Sequence, residues 1–211
     1  MFRENNSNIE YIHIDKKGVP YYVFNREYFM HIFNIFDCRI GAEIGVMDGV
    51  HAEHLLGNLP QLEKLYLIDP WKHYPEEIYD DSAQSPSHYQ ALAEEDGNAN
   101  QEIQDSRFEK VNRLFADNKK VIIIRKESIE AVCDIGEELD FVYIDANHRY
   151  EFVMADLVAW YEKVRRGGLI CGHDTNIKNV KRAVMDFCRL MDISGHGWGW
   201  FEYSSWFFEK K

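Results

Sequence analysis

Five short segments carry the side chains best suited to chemistry, and each follows a run of apolar residues: Glu43-Ile44-Gly45-Val46-Met47-Asp48-Gly49, Asp69, Lys126-Glu127-Ser128, Asp145-Ala146-Asn147-His148 and His173-Asp174-Thr175-Asn176. Asp145, His148 and Asp174 offer two carboxylates and an imidazole, groups that hold a divalent cation or take a proton as general base. Gly45 and Gly49 frame three residues at the end of an apolar run. A dinucleotide fold asks for G-x-G-x-x-G, so that backbone approaches a pyrophosphate at a helix N-terminus. Position 47 is Met, which leaves that fingerprint incomplete. Asp69 follows Gly49 by about 20 positions, where an acid accepts hydrogen bonds from ribose hydroxyls. The expected ligand is a nucleoside without a pyrophosphate. The competing reading is a structural strand-to-helix turn with a solvated Asp.

These segments need a scaffold that brings them to one edge. Arg39 to Gly45, Leu65 to Ile68, Val121 to Ile124, Phe141 to Ile144 and Leu169 to Cys171 read as short, continuously apolar strands. Such strands, separated by helical patterns, form a parallel sheet covered on both faces. Helices are expected over Asn25–Phe36, Val50–Leu56, Glu151–Val164 and Val180–Met191, and Trp198 to Phe208 reads as one or two final strands. The fold class is α/β, a doubly wound, mostly parallel sheet with a terminal antiparallel strand. In such sheets ligands bind beyond the carboxyl ends of the strands, and there all five segments fall. Residues 1–38 are expected as an N-terminal helical segment. Residues 39–211 are expected as the main domain, with an insertion at about 72–118. That insertion reads equally as a surface loop plus crossover helix or as a lid.

Here the sequence resembles a known family. Glu43-x-Gly45-x-x-x-Gly49 is similar to the first motif of class I S-adenosylmethionine-dependent methyltransferases. The second half resembles the subgroup of macrocin-type sugar O-methyltransferases. Its marks are Leu139 to Glu151, Asp156-Leu157, and Gly167-Gly168-Leu169-Ile170-Cys171-Gly172-His173-Asp174. The resemblance implies a Rossmann-like methyltransferase fold, S-adenosyl-L-methionine as cofactor and an enzyme. It places Glu43, Gly45 and Gly49 at the cofactor's methionine part, Asp69 at the ribose with Trp71 beside it, and Glu127 and Ser128 at the adenine. Asp145 matches an acid close to the sulfonium and the acceptor. In metal-dependent members, carboxylates at the ends of the fourth and fifth strands bind Mg²⁺ and a nearby imidazole is the base. Asp145, Asp174 and His148 fit that pattern. His173 departs from it, standing where those members carry a second carboxylate, and so leaves Mg²⁺, another divalent cation or no metal open.

Composition narrows the partners. The chain of 211 residues has a net charge of −12, a hydrophobic fraction of 45% and an aromatic fraction of 14%. Such an acidic balance disfavours a broad nucleic-acid face and docking on anionic membranes. No apolar run approaches the ~20 residues that span a bilayer. The four cysteines form no C-x-x-C pair, as expected of a cytoplasmic protein without disulfides. The expected partner is a small-molecule acceptor, with homo-oligomerisation left open. The expected reaction is O-methylation of a sugar hydroxyl or phenol. Two alternatives stand beside it: an NAD-dependent sugar-modifying oxidoreductase and a non-catalytic methyltransferase-fold subunit. His51-x-x-His54 is read as a helix face rather than a metal pair, since no carboxylate or Cys completes it at a recognisable spacing.

Overall fold

The computed structural model describes residues 9–14, 20–24, 26–74, 101–193, 198–201 and 205–211; for 9–14, 20–24, 26–29, 31 and 198–201 the description is of the backbone. The polar first half of the insertion and Asn25 lie outside these residues. In chain order the elements are β1 (Ile9–Ile14), β2 (Pro20–Phe24), α1 (Arg26–Ile35), β3 (Ile40–Ile44), α2 (Val50–Asn58), β4 (Lys64–Ile68) and α3 (Gln101–Phe115). Then come β5 (Val121–Ile124), a single helical turn Ser128–Ala131, β6 (Leu139–Ile144), α4 (Tyr150–Lys163), β7 (Val164–Gly172), α5 (Lys178–Leu190), β8 (Trp198–Phe201) and β9 (Trp206–Glu209). All nine strands join one sheet, in the order β1-β2-β8-β9-β7-β6-β3-β4-β5.

Strands β3 to β7 run parallel, and β9 is antiparallel to both β7 and β8. The doubly wound fold with antiparallel terminal pairing is therefore as the sequence patterns indicate. Strand order reverses between β3 and β6, the pair that opens the ligand crevice in such sheets. The segment before residue 39 needs correction, because it is not helical throughout. Alongside α1 it holds the β1–β2 hairpin, and β2 pairs in parallel with β8. Its short strands carry no long apolar run, and β2 takes its place in the sheet from β8, far along the chain.

Successive residues of a strand face opposite sides, so each central strand feeds two cores. Ala42, Ile44, Val142, Ile144 and Ile170 pack with Leu157, Trp160, Val184 and Phe187 of α4 and α5. On the other face Leu65, Leu67, Phe141, Leu169 and Cys171 pack with Phe33, Leu55 and Val111 of α1, α2 and α3. Val111 and Phe115 are buried, so the second half of the insertion is a crossover helix of the main core. β7 starts earlier than its apolar run suggests. Arg165 and Arg166 lie on the strand rather than at the end of α4, and the β6–β7 register shifts around Gly167, whose φ is 72°.

The amino edge of the sheet is tied by Asp140. Its Oδ2 accepts from the backbone N–H groups of Arg39 and Ile40, each at 2.8 Å, and its Oδ1 from Arg165 Nε at 2.6 Å. Arg165 also donates to the carbonyl of Phe36 at 2.9 Å. Burial pushes the Asp140 carboxyl up, but Arg165 and the two amides outweigh it and hold the pKa below the ordinary value. A depressed carboxyl pKa contributes stability above the unfolded pKa and loses it as pH falls through the folded one. Asp140→Ala is expected to cost about 2–3 kcal/mol, given hydrogen bonds to a charged group. Urea denaturation at neutral pH checks this, and the gap between wild type and variant should narrow on acidification.

Candidate active site

The carboxyl edge is organised by one close approach. Gly45 follows Ile44 with φ 87°, and a Cβ there would lie 2.0 Å from the carbonyl oxygen of Asp145. Only glycine meets both conditions. Gly45 N–H donates to the Ile68 carbonyl at 2.9 Å, and Asp145 N–H to the Ile44 carbonyl at 2.8 Å, so the ends of β3, β4 and β6 interlock. Gly49, with φ 82°, then releases the chain into α2.

Asp69 and Trp71 hold this turn from behind. Asp69 Oδ2 accepts from the N–H groups of Val46 at 2.9 Å and Met47 at 3.0 Å, and Oδ1 from that of Trp71 at 2.7 Å. Burial raises the Asp69 carboxyl pKa, while the three amides oppose that shift. Trp71 is fully buried against Phe108, and its indole Nε1 donates to the Met47 carbonyl at 2.8 Å. Both peptides that flank the Met47 α-carbon are thus gripped: Asp69 holds the Met47 nitrogen and Trp71 the Met47 oxygen. A carboxylate has about four lone-pair sites, so Asp69 retains acceptor capacity toward a ligand. Met47 itself has φ 52° and an exposed side chain. On its outer side the turn is flanked by α3, with Arg107 Nε 3.8 Å and Lys110 Nζ 3.6 Å from the Asp48 carboxylate.

Glu43 lies inside this edge, 1% exposed. Its Oε1 meets His51 Nδ1 at 3.2 Å, and the His51 ring sits 4.0 Å from that of Tyr143. Its Oε2 is buried with no hydrogen-bond partner among the described residues. Burial pushes the carboxyl pKa up, opposed by His51. An unsatisfied buried carboxylate oxygen is costly, and a cationic N–H donor entering from the turn would satisfy it. His54 Nδ1 bonds with Asn58.

At the end of β5, the Glu127 carboxylate accepts from Tyr74 Oη at 2.5 Å and lies 3.4 Å from Lys72 Nζ. The Ser128 hydroxyl points away from this edge. It donates to Asp156 Oδ1 at 2.5 Å and accepts from Trp160 Nε1 at 2.7 Å. Asp156 is buried, which pushes its carboxyl up to about 7 against the lowering hydrogen bond from Ser128.

Across the crevice, one ligand atom from each of Asp145, His148 and Asp174 lies within 4.8 Å of the others. His148 Nε2 is 2.9 Å from Asp174 Oδ2, and His173 Nδ1 is 3.1 Å from Asp174 Oδ1. Asp174 is therefore clamped by an imidazole on each oxygen, on a backbone with φ 65°. Burial first, then the charge of Asp174, pushes the Asp145 carboxyl up to about 7. Burial also acts to raise Asp174, yet the two imidazoles hold it well below the ordinary range. Two carboxylates so close cannot both ionise easily. The arrangement can orient His148 as a base. Alternatively, with the Asp145 proton displaced, it can offer two carboxylates and an imidazole to a divalent cation.

The structure thus brings Glu43, Gly45, Gly49, Asp69 and Asp145 around one turn, and Asp145, His148 and Asp174 into one cluster. Glu127 borders the same edge, whereas Trp71 and the Ser128 hydroxyl act from behind it. Sequence reasoning read His51 only as part of a helix face and did not find Tyr143 and Trp160 as partners, although all three lie in or beside the motifs. The spacing of Glu43 and His51 across a glycine turn is the one local signal for such a pair.

Residues 42–175, more than half of the chain, match a family model described as a methyltransferase domain. No curated protein sequence matches the chain. Among solved structures, the O-methyltransferase NovP superposes with a TM-score of 0.58 at 16% identity, over 86% of this chain and 80% of its own. The O-methyltransferase TomG from Streptomyces achromogenes, solved with SAM, gives 0.53 at 11% identity, over 86% and 78%. Spermidine synthase from Thermotoga maritima gives 0.52 at 14% identity, over 97% and 73%. Likeness at such identities extends to the fold.

Because Asp69 holds three backbone amides before any ligand arrives, Asp69→Ala should destabilise the ligand-free protein by about 3 kcal/mol, as loss of several bonds to a buried carboxylate requires. Chemical denaturation without ligand measures this. An unchanged midpoint would mean that the carboxylate serves only a ligand.

Proposed function

Because the chain belongs to the methyltransferase-domain family, we propose that this S-adenosylmethionine-dependent methyltransferase methylates an oxygen of a small polar acceptor, such as a sugar hydroxyl or a phenol. The observation that carries the reading is the Asp145–His148–Asp174 cluster, which adjoins the glycine turn at the point where strand order reverses. The O-methyltransferases NovP and TomG among its structural relatives support it. The net charge of −12 favours a small acceptor over nucleic acid or an anionic membrane.

The residues fit the cofactor. The orphaned Glu43 Oε2 would suit the ammonium of its methionine part. Asp69 would accept from the ribose with its remaining lone pair, and Glu127, with the backbone of Ser128, would border the adenine. When bound, S-adenosylmethionine supplies a methyl carbon already activated by the sulfonium. This chain's work is to align the acceptor, worth up to ~7–11 kcal/mol in favourable cases, and to remove its proton. With Nε2–H donated to Asp174, His148 would carry its basic lone pair on Nδ1 and would take the acceptor's hydroxyl proton as the methyl group is transferred. Asp174 stabilises the resulting imidazolium.

A second reading uses the same three side chains for a divalent cation. Asp145, His148 and Asp174 would hold it, and it would supply Lewis acidity that lowers the pKa of the acceptor hydroxyl. Mg²⁺ prefers oxygen ligands, and the imidazole shifts the preference toward Mn²⁺ or Zn²⁺. His148 would then be a ligand rather than the base.

Calorimetry is expected to show S-adenosylhomocysteine binding to the wild type; no binding at millimolar concentration would sink the cofactor reading. His148→Ala should lower turnover by about 10²–10⁴-fold, the usual contribution of a general base, with cofactor affinity unchanged. Activity indifferent to chelator, with no heat on titrating Mn²⁺, selects the metal-free base. Mn²⁺ binding lost in Asp174→Asn selects the cation.

A further inference from the structure

We infer that Asp156 is a positioning residue for the adenine end of the cofactor site, acting through Ser128. The inference rests on the S-adenosylmethionine reading above and concerns a carboxylate that the chemistry there leaves unused. Asp156 stands on α4, 5% exposed, among Val153, Leu157 and Trp160 of the apolar face that covers the sheet. An ionisable group in such a place is costly unless paired. Its partner is the Ser128 hydroxyl at 2.5 Å, which in turn accepts from Trp160 Nε1 at 2.7 Å. Both partners of this hydroxyl come from α4, four residues apart, so one helix face supplies an acceptor and a donor aimed at a single oxygen.

The site of action follows from the chain. Ser128 comes directly after Glu127 at the carboxyl end of β5, beside β4, whose end carries Asp69. The N–H groups of Glu130 and Ala131 both donate to the Glu127 carbonyl at 3.0 Å. That carbonyl is therefore turned into the helical turn, and the Glu127 side chain is left at the strand edge against Tyr74 and Lys72. With the Ser128 side chain drawn backward by Asp156 and Trp160, the peptide joining Glu127 to Ser128 has one orientation. Asp156 thus sets the edge that the adenine meets, without touching it.

The test titrates S-adenosylhomocysteine and 5′-methylthioadenosine, which shares its adenosine but lacks the amino-acid part, into the wild type, Asp156→Ala, Asp156→Asn and Ser128→Ala. Asp156→Ala is expected to weaken both ligands by about tenfold, the scale of one charge-assisted bond. Asp156→Asn should stay within about threefold of wild type, since its amide oxygen still accepts from Ser128. Turnover at saturating cofactor should be unchanged, so that the loss appears in the cofactor KM and not in kcat. Should Asp156→Ala not fold, Ser128→Ala removes the other end of the same bond and is expected to cause a similar loss. A variant that melts earlier but binds both ligands like the wild type would overturn the inference and leave Asp156 as packing. Weakened S-adenosylhomocysteine with unchanged 5′-methylthioadenosine would overturn it too. If the wild type binds neither, the cofactor reading itself has failed.

Discussion

The backbone of Gly45 lies so close to the carbonyl of Asp145 that no side chain fits between them. That contact joins the two halves of the sheet where their strand order diverges. Everything at this edge is measured from it. On one side the turn leads through Gly49 into α2 and is pinned by Asp69 from β4. On the other, Asp145 opens the loop that carries His148, and its carboxyl faces Asp174 from the end of β7. A shift of either strand by one residue would reverse every side chain that follows. The glycine is therefore a requirement of geometry before it is a requirement of any ligand.

Four carboxyls, Glu43 and Asp156 buried and Asp69 and Asp145 half-buried, are satisfied unequally. Asp69 has three amides. Asp156 has the Ser128 hydroxyl. Glu43 has an imidazole on one oxygen and nothing on the other among the described residues. Asp145 has a neighbouring carboxylate, which raises its pKa instead of lowering it. The first two are closed arrangements that build shape. The last two are open ones, and both call for positive charge. The unmet need sits on either side of the Gly45 turn, where an ammonium and a sulfonium of one cofactor would fall on the proposed reading.

Much of this was legible in the sequence, because buried parallel strands are continuous apolar runs that end in polar residues. Val121 to Ile124 has bounds that match its strand, although β5 is an edge strand and only partly buried. The gathering of Asp145, His148 and Asp174 followed from placing each at a strand end. Direction was harder to read than position. Trp71 and Ser128 stand where a ligand-facing residue is expected, yet both point inward, since a neighbouring peptide and a helix offer them hydrogen bonds that no spacing rule reveals. The β1–β2 hairpin escaped notice for a related reason. Its strands are short, and their place in the sheet comes from β8, at the far end of the chain.

That pairing bears on how the molecule assembles. The strands that frame the crevice, β3 to β7, run in nearly continuous succession and can close among themselves while the chain is being made. The β2–β8 ladder cannot, since β8 is made after all of them. Joining ends so distant costs loop entropy that only a formed core can offset. The half of the sheet that frames the crevice should therefore be complete while its outer edge at β7 still lacks a neighbour, and an uncovered edge invites pairing with another chain. The amino-terminal hairpin and the tail strands act as a late clasp, arriving together to seal that edge.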